Sequence, residues 1–152
     1  MKEVRKNRGG ARRKGRELAI QALYQFDKKE TPLPILLSLD WVDEKVPQAA
    51  SISYFRQLLE GTMKNLEIID QTIKDFAQKY EFNKVMPIDK AILRFAVYSL
   101  FFEKELPAVI IIDEAVELTK LYGGRDAHKF VNGVLDGIRK KLVEQGQRKG
   151  SE

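Results

Sequence analysis

Wherever apolar side chains recur along this chain, they recur at the helical period. Leu18, Ala19, Ala22, Leu23 and Phe26 repeat at spacings of three and four, which predicts an amphipathic helix over 16–27. Thr31-Pro32 opens a short helix through Leu39, because a first-turn proline gives up only an N–H that has no partner there, and Trp41 anchors it. Residues 45–50 read as a loop around Pro47. Ile52, Phe55, Leu58, Leu59 and Met63 form one stripe, and Leu66, Ile69, Ile73, Phe76 and Tyr80 form another. Gly61 and Asn65 lie between the stripes, with Asn65 as an N-cap, so two helices with a bend are predicted rather than one rod. Pro87 starts a segment over 87–103 whose apolar residues cover so wide an arc that it belongs at the centre of the core. Val109 to Ile112, taken alone, also fits a buried strand. Ala115, Val116, Leu118 and Leu121 carry the run on at helical spacing, and Gly123-Gly124 closes it as a C-cap. Asp126 is the next N-cap, and Phe130, Val131, Val134, Ile138 and Leu142 mark the last helix. No alternating polar–apolar stretch supports a sheet. The expected class is all-α with about seven helices.

Composition narrows the chemistry. The chain of 152 residues has no cysteine and one histidine, His128, which excludes a disulfide scaffold, a thiolate nucleophile and a multi-histidine metal site. The longest apolar runs, 95–102 and 108–112, fall far short of the roughly 18 residues that span a bilayer, so no membrane is expected and the cytoplasm is the expected location. Charge is unevenly spread. Residues 1–16 carry eight basic groups, including Lys2, Arg5, Arg12, Arg13, Lys14 and Arg16, against the single acid Glu3, a net of +7. The remaining 136 residues hold 19 basic and 21 acidic groups, a net of −2. The expected organisation is a flexible basic arm over 1–11, a single all-helical domain over 12–144 and a frayed polar tail over 145–152. Such an arm usually meets a polyanion.

The residues point to no enzyme and no cofactor. Asp113 and Glu117 share a helix face and could hold a hard cation, but a solvated face with Glu117 paired to Lys120 accounts for them. Gly123-Gly124-Arg125 lacks the preceding strand and following Lys-Ser/Thr of a phosphate loop. The nucleic-acid signal is stronger. Arg12-Arg13-Lys14 and Arg16 sit at the helix end whose dipole disfavours cations, so helix stability does not explain them. Tyr24, two turns beyond Arg16, falls near the same face and offers a ring for base stacking. Phe130 lies about 40° from Val134 on the helical wheel, which leaves both a core role and a stacking role open. A helical protein–protein scaffold and a helix-turn-helix DNA binder are the alternatives.

Four stretches resemble the NusB family of transcription antitermination factors. They are 12–17 followed by Gln21-Ala22-Leu23-Tyr24; Asp89-Lys90-Ala91-Ile92-Leu93-Arg94; Asp113-Glu114-Ala115-Val116-Glu117-Leu118 with Lys120 and Tyr122-Gly123; and His128-Lys129-Phe130-Val131-Asn132-Gly133-Val134-Leu135-Asp136. They occur in the family's order, and the last is the most specific. The resemblance implies two small packed helical bundles that bind the single-stranded boxA element of nascent, particularly ribosomal, RNA. It also implies pairing with NusE, a small-subunit ribosomal protein, within an antitermination complex on RNA polymerase; a homodimer of the free protein stays open. By residue matching, the implied RNA surface holds Arg12, Arg13, Lys14, Arg16, Tyr24, Asp126 and Phe130; Lys2 and Arg5 join it as cations of the basic arm, which is longer and more basic than the family pattern. Asp89 and Arg94 match positions on the RNA or NusE surface. Asp113 departs from the pattern, since many members carry Asn there. The helical part also resembles a domain of certain RNA cytosine methyltransferases, but this chain lacks their cysteine nucleophile.

Overall fold

The structure, a computed structural model, describes residues 2–43 and 48–150, and of residues 2–9 the backbone only. Among the described residues there are seven α-helices and no strand: α1 (Lys2–Lys29), α2 (Leu33–Ser38), α3 (Ala49–Lys64), α4 (Leu66–Phe76), α5 (Pro87–Phe102), α6 (Ala108–Tyr122) and α7 (Ala127–Glu144). A single 3₁₀ turn, Phe82–Lys84, lies between α4 and α5. Contacts divide the chain into two compact units, Met1–Lys64 and Asn65–Glu152.

The first unit is built on α1 against α3. Leu18, Ala19, Ala22 and Leu23 of α1 and Phe55, Leu58 and Leu59 of α3 are all fully buried. The two helices meet most closely at Gly15, where a Cβ would stand 3.0 Å from the Tyr54 ring and 3.1 Å from the Ser51 carbonyl oxygen. Glycine weakens a helix interior by about 1 kcal/mol relative to alanine, and close backbone approach is what it provides in return. The short α2 seats Leu36 on α3, and the Trp41 indole N–H donates to the Leu36 carbonyl at 2.9 Å, so Trp41 does anchor that turn. Residues 44–47, the centre of the expected loop, lie outside the described residues, and α3 already begins at Ala49.

The second unit surrounds α5. Every residue from Asp89 to Leu100 is buried, with α4, α6 and α7 packed on it. The wide apolar arc thus marks the central helix, as the pattern predicts. In α6 the run that also fitted a strand is helical: Ile111 and Ile112 face inward while Val109 and Ile110 are exposed. In α7, Val131, Val134, Leu135, Ile138 and Leu142 are buried.

Three boundaries correct the sequence expectation. The backbone of residues 2–11 is helical and continuous with α1, so the helix begins well before residue 12. α4 ends at Phe76, so Tyr80, predicted as the last position of its apolar stripe, lies outside the helix and is exposed. The tail is not frayed over 145–150. Arg148 is buried, and its guanidinium donates to the carbonyls of Leu100 at 2.9 Å, Leu106 at 2.8 Å, Ser99 at 3.2 Å and Glu103 at 3.0 Å. These carbonyls lie in and just beyond the last turn of α5, where a cation is favoured by the dipole; the Ser99 carbonyl also accepts the Glu103 N–H at 2.9 Å. Residues 151–152 lie outside the described residues.

Candidate nucleic-acid interface

On the first unit, one helix carries both the cations and the ring. At 100° per residue, Arg13, Glu17, Gln21, Tyr24 and Lys28 fall within an arc of about 80°, with Arg13 and Tyr24 only about 20° apart. Arg13 and Glu17 are half-buried, and Gln21, Tyr24 and Lys28 are exposed. Tyr24 keeps 39% of its surface in solvent, so the ring is available. The rise of an α-helix separates Arg13 from Tyr24 by roughly 16 Å, a span that suits several nucleotides of an extended strand better than one.

Arg16 does not belong to that face. Sequence spacing groups it with Tyr24, yet it is buried, donates to the Tyr54 hydroxyl at 3.3 Å and places its guanidinium 5.3 Å from the centre of the same ring. Arg12 is exposed and also lies over that ring, at 5.7 Å. Tyr54 therefore gathers two arginines one turn apart on α1, and the inner one is held in the fold. Lys14 is half-buried. The side chains of Lys2 and Arg5 lie outside the described residues.

On the second unit, Asp126 and Phe130 stand at the start of α7. Asp126 is exposed and occupies the left-handed region, φ 61°, which aspartate tolerates better than most residues. It holds the N-cap position by backbone geometry and makes no side-chain capping bond. Phe130 is half-buried and lies 4.5 Å, centre to centre, from the ring of Tyr80, tilted 59°. Phe130 is thus neither a core residue nor a lone platform. Tyr80 escaped the sequence reading because Phe76, Ala77 and Tyr80 continue the spacing of α4, with no glycine or proline at its end.

Asp89 and Arg94, expected on a partner or RNA surface, are both buried. Asp89 accepts a hydrogen bond from the Gly124 backbone N–H at 3.1 Å and so ties the first turn of α5 to the turn between α6 and α7. Burial pushes its carboxyl above the ordinary aspartate value, and the Gly124 bond opposes that. Gly123 explains itself here: its backbone is extended, and a Cβ would collide with the Asp89 carboxylate and the Thr119 carbonyl. Arg94 makes a two-pronged pair with Asp70, both bonds at 2.9 Å. It also lies over the Phe82 ring, as do Lys74 and Lys90. Glu117 pairs with Lys120 at 3.9 Å on a solvated face, and Asp113 is exposed.

Residues 13–140 match the NusB family. The chain belongs to the NusB family. Transcription antitermination protein NusB of Mannheimia succiniciproducens is 38% identical over 145 residues, covering 95% of this chain and all of the relative. Among solved structures, T. maritima NusB is 34% identical with a TM-score of 0.77, covering 86% of this chain and 91% of that one. NusB in a crystal structure of the antitermination factors NusB and NusE in complex with double-stranded RNA is 25% identical with a TM-score of 0.74, covering 86% and 97%. The NusB match spans both units, taking in the stripe on α1 and the ring pair at α7.

Proposed function

We propose that this chain is a non-enzymatic, cytoplasmic RNA-binding adaptor of transcription antitermination. It binds boxA-type single-stranded RNA of nascent ribosomal transcripts together with NusE and joins the complex on RNA polymerase. The observation that carries the RNA and NusE part of this reading is the likeness, over most of the chain, to a NusB solved with NusE and double-stranded RNA. The side chains supply the chemistry. Arg12, Arg13 and Lys14, with Lys2 and Arg5, meet phosphates. Tyr24 and Phe130 stack on bases, and exposed Asp126 accepts a hydrogen bond from a base edge. Arg16, Asp89 and Arg94 support these positions from within the fold.

Filter binding to single-stranded boxA-type RNA and to duplex DNA, each at two salt concentrations, tests the reading. RNA binding should be tighter, with a salt slope of about −0.7 per phosphate contact. Preference for duplex DNA, or no binding to either, would overturn it. A homodimer of the free protein would appear in sedimentation.

A further inference from the structure

Tyr80 is the residue the proposed RNA surface does not yet use. It keeps 57% of its surface exposed. The ring is nonetheless positioned. Its backbone N–H donates to the Ala77 carbonyl at 2.9 Å, Ala77 is buried, and the ring leans on half-buried Phe130 at 4.5 Å. Each ring also follows an exposed lysine, as Lys79-Tyr80 and Lys129-Phe130. The neighbouring acid Glu81 is engaged by Lys84 at 3.3 Å. An exposed ring beside a flexible cation is the pairing that sequence-tolerant single-strand binding uses, the ring for a base and the ammonium for the adjoining phosphate.

We infer that Tyr80 and Phe130 form one two-ring stacking site for a base of single-stranded RNA, with Lys79 and Lys129 at its edges, and that Tyr80 supplies most of the ring surface the base meets. This rests on the RNA-binding reading above. The tilt of 59° leaves the rings splayed rather than stacked flat on one another. A base can therefore lie on the outer ring without displacing the inner one, and Phe130 fixes where Tyr80 points.

The test uses the full chain and single-stranded RNAs carrying 2-aminopurine at successive positions, whose fluorescence falls on stacking. The parent should quench one position strongly. Tyr80→Phe should keep both quenching and affinity. Tyr80→Leu still covers Phe130 but cannot stack; it should lose that quenching and bind roughly 5- to 100-fold more weakly, with an unchanged melting temperature. Tyr80→Ala and Phe130→Ala together should cost less than the sum of the two single changes, because each removes the same site. If Tyr80→Leu quenches and binds like the parent while loss of Arg13 still weakens RNA binding, the two-ring site is wrong and the RNA-binding reading stands. If the parent binds no single-stranded RNA, the reading itself is overturned and this site with it.

Discussion

Asp89 and Gly123 set each other's identity. The carboxylate occupies the space a side chain at 123 would need, and it accepts the Gly124 N–H. Gly123→Ala should destabilise by about 1–3 kcal/mol through overpacking, not backbone strain. Adding Asp89→Ala should recover part of that loss, measurable as a non-additive urea midpoint. The Thr119 carbonyl remains as a second obstacle. The buried carboxyl also makes stability depend on pH. Its proton is held more tightly in the folded state than in the unfolded chain, so folding is favoured below the ordinary value of 3.8 and loses that advantage as pH rises toward the folded value. Asn has no such proton. The stability of the parent relative to Asp89→Asn should therefore fall as pH is raised from just below 3.8. A constant difference across that range would show that the carboxyl is not held up by burial. Residue identity alone hides such roles. Arg16, Asp89 and Arg94 look like surface groups by type, and their partners Tyr54, Gly124 and Asp70 lie 24 to 38 positions away. Tyr24 and Phe130 stand out in the sequence because each belongs to a motif as well as to a helix face.

At the scale of elements, periodicity read the interior well and the ends poorly. The central place of α5 follows from its apolar arc alone, and α3 ends at Lys64 and α4 begins at Leu66, two helices as predicted. Ends depend on capping and on distant partners. The start of α1 shows no apolar stripe, and α4 ends at Phe76 with no glycine or proline there. The tail is held because one guanidinium satisfies four carbonyls. Hydrogen bonds involving a charged group contribute about 1.5–3 kcal/mol net, and these act on one buried side chain. Arg148→Ala, or truncation after Gln145, should lower stability by roughly 2–4 kcal/mol. Lys should recover little, because an ammonium cannot reproduce the planar fork. A thermal melt matching that of the parent would show that the tail is not structural.

For the whole molecule, charge and function are divided. The net +7 of residues 1–16 against −2 elsewhere makes the N-terminal helix the electrostatic handle of the proposed RNA complex. Deleting residues 1–11 removes Lys2, Arg5, Lys6 and Arg8, while among the described side chains the buried apolar residues of α1 begin at Leu18. The shortened chain should stay folded, bind RNA more weakly and show a salt slope shallower by up to about 3. The proposed adaptor is completed on RNA by a second protein. Contacts made by two proteins to one strand reinforce each other through effective concentration. The most direct measurement is therefore the affinity for boxA-type single-stranded RNA with and without NusE. The adaptor account predicts that NusE tightens binding well beyond either protein alone. A mixture that binds no tighter than this chain by itself would contradict it.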